Sequence, residues 1–295
     1  MKKVELKKIL VPVDFTETSD IAMAEAISLA KLLNAKLFLI HVTEFDSFLI
    51  APDYNIPMPP SEELEAVAKQ KLGKVASKIE SESGIRPEVH VSSGYVPEEI
   101  IQYSKKKNID LILMGTHGAS GSKEMFIGSN AQRVVTLSEI PVLTMQKKTG
   151  ESGFKNILLP IDNSTHSREK VNLAMLIAEL FNAKIHIIGL PDSKEKKELD
   201  KFNIKLKSVE KIIAADKLSY SVTMVGGESL AKAATDYAEQ NKCDLIVINT
   251  GHESAITGIF LGAFHQQIVN HSKIPVLSMK HAADHFIIET PGFGI

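Results

Sequence analysis

The chain has 295 residues, 44% hydrophobic and 24% charged, an ordinary globular balance with length for two domains of about 150 residues each. Its formal net charge of −2 gives no broad positive field, which disfavours a general nucleic-acid-binding role. The single cysteine, Cys243, excludes an intramolecular disulfide and suits a reducing compartment.

Met1 to Lys8 carry charge but lead into no signal-type apolar region, since the run Ile9-Leu10-Val11-Pro12-Val13 stops at Asp14. No window of about 18 uncharged apolar residues exists, so no membrane span and a cytoplasmic location are expected. Short runs rich in Ile, Leu and Val predict buried strands over 7–13, 36–42, 87–92, 110–115 and 141–146. Helices are predicted between them, over 17–34, 61–83, 97–107 and 129–138, with Thr16 or Thr18 as the first cap. The segment Thr43–Pro60 holds Pro52, Pro57, Pro59 and Pro60, which disfavour helix and central strand. A lid, a binding loop and a disordered connector all fit it. Gly150, Ser152 and Gly153 read as a linker.

The same order then recurs. Ile9-Leu10-Val11-Pro12-Val13-Asp14 returns 148 residues later as Ile157-Leu158-Leu159-Pro160-Ile161-Asp162, and Asn34-Ala35-Lys36 as Asn182-Ala183-Lys184. Further on the offset is 134, and 15 of the 36 positions in 110–145 are identical to those in 244–279. The expectation is an α/β chain of two tandem open-sheet domains, each a five-stranded parallel sheet flanked by helices. Their bounds are expected at 1–148 and 154–281, with a tail at 282–295.

The candidate site lies where the fourth strand ends, at Met114-Gly115-Thr116-His117-Gly118, followed after nine residues by Gly128-Ser129 and the helical Asn130. Glycines at a strand's carboxyl end let backbone approach a ligand and permit positive φ, and a helix opening at Gly128-Ser129 offers amides to an anion. Open sheets bind ligands at that edge, where Asp14 and Val42 also fall. Walker and dinucleotide glycine motifs are absent. Asp14 can contact a nucleoside or metal, or cap the turn after the first strand. Ser129 can meet a phosphate or act as an N-cap. His117 reads as a solvent-facing loop residue, His281 and His285 as bystanders in the tail, and Cys243 as a structural thiol. Asn163-Ser164-Thr165 reads as helix capping, and Lys194–Glu198 as a solvated helix face.

The first strand, the Gly-x2-Gly-x9-Gly-Ser pattern and the closing Ile140-Pro141-Val142-Leu143 together resemble the universal stress protein family in its tandem form. The resemblance implies a Rossmann-like fold of the adenine nucleotide alpha hydrolase type, with ATP, ADP or AMP bound at the strand ends. Pro12, Val13 and Asp14 would border the adenosine and Val42 the adenine. Met114, Gly115, Thr116 and Gly118 would line the ribose and phosphates, and Gly128, Ser129 and Asn130 would hold the phosphates. Any Mg²⁺ would be held through phosphate oxygens. Relatives modified on serines in such loops make Ser120, Ser122 and Ser129 candidates for phosphorylation. In the second half Gly115 becomes Asn249, Gly118 becomes His252 and Ser129 becomes Ala263, with only Gly262 kept. No tight ATP binding is expected there.

The reading that follows is an ATP-binding stress or regulatory module acting through an unknown protein partner. Slow Mg-dependent ATP hydrolysis and a nucleotide-free scaffold are the alternatives, and no catalytic or metal-ligating set is assigned. The closing strands predict that the two halves pair with each other, with a homodimer left open.

Overall fold

Alternate residues of the central strands enter different apolar layers, which is why those strands read as unbroken apolar runs, whereas the edge strands over 88–93 and 220–224 are half-buried to exposed, unlike the buried strand expected over 87–92. In a computed structural model, which describes residues 5–44, 61–116, 127–146, 153–164, 168, 170–227, 229–250 and 263–280, the alternation is plain from the first strand. In β1 (Lys8–Pro12), Ile9 and Val11 join one core layer and Leu10 the other, all fully buried. The first half continues with α1 (Glu17–Leu33), β2 (Lys36–Thr43), α2 (Ser61–Ser83), β3 (Glu88–Ser93), α3 (Val96–Lys107), β4 (Leu111–Gly115), α4 (Ser129–Leu137) and β5 (Val142–Met145). The second half repeats it as β6 (Asn156–Asp162), α5 (Val171–Phe181), β7 (Lys184–Leu190), α6 (Lys196–Ala215), β8 (Tyr220–Met224), α7 (Leu230–Gln240), β9 (Leu245–Thr250), α8 (Ala263–His271) and β10 (Val276–Lys280).

The strands form one ten-stranded sheet in the order β3-β2-β1-β4-β5-β10-β9-β6-β7-β8. Within each half all pairings are parallel, and the halves join through the antiparallel pair β5–β10. The join is self-complementary. Leu143 faces its own repeat equivalent, Leu277, while Thr144 faces Val276 and Val142 faces Ser278, as a pseudo-two-fold axis requires. The Thr144 hydroxyl adds a 3.3 Å bond to the Val276 carbonyl. Residues of α1, α2, α5 and α6 cover one sheet face and those of α3, α4, α7 and α8 the other, and each core layer runs through both halves.

Local devices are duplicated with the fold. Asp110 accepts the Lys7 and Lys8 amides at 2.9 Å, and Asp244 accepts the Lys155 and Asn156 amides at 2.7 and 3.0 Å, tying the start of β4 to β1 and of β9 to β6. Asn34 and Asn182 both close their helices in the left-handed region, which asparagine tolerates well. Thr16 caps α1, its side chain accepting the Ser19 amide. The second half differs here: α5 starts at Val171 with Lys170 at the cap, so Asn163 and Ser164 do not cap it, and Thr165 is outside the described residues. Glu195 to Lys197 are exposed at the start of α6, as expected of a solvated face.

Candidate functional site

Parallel pairing puts the carboxyl ends of β1, β2 and β4 on one edge of the sheet, and the start of α4 meets them there. They enclose a cavity of about 690 Å³. Ten of the eleven candidates from the sequence line it: Pro12, Val13, Asp14, Val42, Met114, Gly115, Thr116, Gly128, Ser129 and Asn130. Gly118 lies outside the described residues, as do His117, Ser120, Ser122, residues 45–60, Gly150, Ser152, His252, Gly262, His281, His285 and the tail.

Asp14 does what the capping reading required and still faces the cavity. Its Oδ1 accepts the Thr16 amide at 3.0 Å and the Thr16 hydroxyl at 2.5 Å, while the residue stays exposed. Val13 is fixed from both sides: its amide donates to the Ile40 carbonyl, and its carbonyl lies 2.6 Å from His41 Nδ1. A carbonyl can only accept, so Nδ1 carries the proton in that contact. The His41 ring sits 4.7 Å from Phe15, whose φ of 62° is rare for a bulky residue, and Lys71 Nζ lies 5.8 Å from the Phe15 ring centre.

The glycines work differently from the expectation. Neither Gly115 nor Gly128 has positive φ; Gly128 sits at φ −61° as the N-cap of α4. Gly115 is needed for packing, because a Cβ there would lie 2.7 Å from the Thr18 carbonyl carbon in the first turn of α1. The Gly128 amide is already used, donating to the Thr116 carbonyl at 2.5 Å. Ser129 is the first helical residue, not the cap, and the amides without an intrahelical acceptor are those of Ser129, Asn130 and Ala131. No acidic residue stands in that first turn, which keeps the positive helix end open to an anion. Glu44 Oε1 lies 3.4 Å from Asn130 Nδ2, so a carboxylate already sits beside the anion position.

Sequence reasoning missed His41, Phe15, Glu44 and Lys71. The first three flank positions already singled out. Lys71 comes from α2, which no motif marks, but an ungapped offset of 134 carried back along the chain would have matched it with Lys205. Cys243 is buried, and burial pushes its thiol up to about 12, with Asp244 adding to the rise. Ellman's reagent should leave the native thiol unmodified and react fully once the chain is unfolded in guanidinium; rapid native labelling would show an accessible thiolate.

Among the described residues no three His, Cys, Asp or Glu side chains converge as a metal site, and no helix is long and apolar enough to cross a membrane. The sequence model of the universal stress protein family matches residues 5–146 and again 153–280. Universal stress protein MJ0531 of Methanocaldococcus jannaschii is 33% identical over 145 residues, which is 49% of this chain and 85% of that protein. Universal stress protein YxiE of Bacillus subtilis is 30% identical over 145 residues, 47% of this chain and 98% of that protein. The crystal structure of a universal stress protein from Archaeoglobus fulgidus superposes with a TM-score of 0.74 over 92% of this chain and 98% of its own, at 24% identity.

Proposed function

Because the chain belongs to the universal stress protein family, we propose that it is a cytoplasmic stress-response or regulatory protein whose first half binds an adenine nucleotide, ATP foremost. The observation that carries this reading is the cavity at the strand ends. Its size suits a nucleotide, its inner wall is apolar, and its far side is the start of α4. Ile40, Val42, Ile100 and Met114 offer an apolar slot for a base, and Asp14 stands beside it with an oxygen for a sugar hydroxyl or base amine. The amides of Ser129, Asn130 and Ala131 face the phosphate end. Among the described lining residues the charged side chains are Asp14, Glu44 and Lys71, so little cationic charge offsets a triphosphate. Mg²⁺ carried on the phosphates would supply it, and Glu44 is the lining carboxylate that would help hold it.

The lining suits binding: His41 is oriented through Nδ1–H on the Val13 carbonyl and Asp14 through Oδ1 on Thr16, which leaves His41 Nε2 and Asp14 Oδ2 to accept from a ligand. Joining the halves through β5 and β10 uses both closing edges, so a homodimer would form on another surface.

Isothermal titration of the whole chain with Mg-ATP should give one nucleotide per chain. AMP and adenosine should bind progressively more weakly, adenosine by at least about tenfold, because it forgoes the helix end. Asp14→Ala should weaken all three. No heat with any of them at millimolar concentration would end this reading, and equal affinity for adenosine and ATP would remove α4 from it.

A further inference from the structure

The two halves fill the same place in the fold differently. Val42 and Asp14 of the first-half lining correspond, at an offset of 148, to Leu190 and Asp162. In α2 and α6 the buried Ala68, Leu72 and Ile79 recur 134 residues on as Phe202, Leu206 and Ile213, which aligns Lys71 with Lys205. Ala131 corresponds to His265 at the same offset. Leu190 and Phe202 are larger than Val42 and Ala68, whereas Ala234 is smaller than Ile100, its counterpart at the offset of 134. Leu190 is fully buried, and Phe202 is 3% exposed where the first half has only an alanine on the cavity wall. The Phe202 ring presses so closely on β7 that Cε1 would lie 3.0 Å from a Cβ added at Gly189, the position of His41 in the first half.

The polar end is filled as well. Lys170 stands where the first half has Ala22 and is 1% exposed, its charge beside Asp162. Lys205 Nζ donates to the carbonyls of Asp162 and Ser164 at 2.9 and 2.5 Å. Asp162 keeps the same local turn as Asp14, accepting the Ser164 amide and hydroxyl at 2.9 and 2.6 Å. Burial would raise its carboxyl, yet Lys170 and then Ser164 hold it below the usual carboxylate range. Burial pulls Lys170 down to about 8 against the attraction of Asp162, with Lys205 adding repulsion. Lys170 is also the N-cap residue of α5, whose positive end does not favour a cation, and the Asp162 charge offsets this.

We infer that the second half is closed to ligands by its own side chains: Phe202 and Leu190 occupy the base slot, and Lys170 with Lys205 supplies Asp162 with the counter-charge that a bound ligand and its cation would bring. The second half then holds its shape without a ligand and acts as a permanent structural partner of the ligand-binding half. The comparison with an open site rests on the proposed nucleotide reading, whereas the coupling of Lys170 to Asp162 does not.

Both parts are tested on the full chain. Native-state hydrogen exchange of the β6 amides should lose about a hundredfold in protection in Asp162→Asn, which strips the buried Lys170 of its counter-charge, and less in Lys170→Met, where Ser164 and Lys205 still support the half-buried Asp162. The neutral double variant Asp162→Asn/Lys170→Met should recover most of that loss. Additive losses in the double variant would overturn the coupling and with it the inference. Titration with Mg-ATP should then give one site in the parent and a second in Phe202→Ala/Lys170→Ala/His265→Ala, which restores the first-half residue types. Two sites in the parent would overturn closure, as would a single site in a triple variant that still binds ATP in its first half and keeps the parent's far-UV circular dichroism. If the parent binds no ATP while the coupling is found, the nucleotide reading of the first half fails and the internal charge cluster stands.

Discussion

A Gly115→Val variant should melt roughly 5 °C below the parent, from a cost of about 3 kcal/mol, and should lose nucleotide binding with it. The cause is steric and lies in backbone. A Cβ at position 115 would stand 2.7, 2.8 and 2.9 Å from the Thr18 carbonyl carbon, oxygen and Cβ. Helix α1 cannot retreat cheaply, since Ala22, Ala26, Leu29 and Ala30 on the same helix are buried in the core. Nor can its first turn twist away, because Thr16 caps it and Asp14 holds Thr16. The second half carries Asn249 at this place, 4% exposed, and its helix begins only at Val171, six positions after the equivalent of Glu17. Gly73→Ala is the matched control. That glycine sits in the middle of α2 with nothing within 4 Å of an added Cβ, so alanine there should stabilise by about 0.5–1 kcal/mol through helix propensity alone. Calorimetry of the two variants reads both effects, and a Gly115→Val protein melting with the parent would show that α1 yields.

The repeat and the strands were legible because buried parallel strands leave unbroken apolar runs, and because the devices that tie them, such as Asp110 and Asp244, repeat at a fixed offset. The candidate site was legible for the same reason: backbone at strand ends is placed by topology, so Asp14, Val42 and Gly115 could be gathered before any coordinates. What a side chain does at a site was less legible. The glycine at 115 reads as room for a ligand, yet the nearest atoms belong to Thr18. Of the two roles open to Ser129, phosphate contact and N-cap, the cap falls to Gly128. Loss of glycines marked the second half as degenerate, but the larger changes there, Ala22 to Lys170 and Ala68 to Phe202, lie outside any motif. They become meaningful only when the helices are set on the sheet and the residues that face one another are known.

Acid should weaken the second half before Asp162 titrates, and His265 is the reason. Burial pushes this imidazole down to about 4, with the Lys170 charge adding to the effect and Asp162 opposing it. Its Nδ1 is buried without a hydrogen-bond partner, so a proton placed there would find no acceptor. An unfolded histidine titrates near pH 6.5, so between about 6.5 and 4 the unfolded chain binds a proton that the folded chain refuses. Stability therefore falls as pH falls through that window, and the loss saturates below the folded value. The full shift corresponds to about 3 kcal/mol; the residue keeps partial exposure, and a loss of about 2 kcal/mol is expected. Lys170 stays charged in both states throughout this range. Asp162, whose folded carboxyl is held low, adds its own loss only below the unfolded carboxylate value near about 4. His90 and His186 are also depressed by burial and act with the same sign, so the comparison must be with His265→Ala and not with neutral pH alone. Urea midpoints at pH 7 and pH 4.5 should fall further in the parent than in that variant, which carries the first-half residue type. Equal falls in the two proteins would mean that His265 accepts its proton in the folded state, and that the cluster around Asp162 is more open to water than its packing implies.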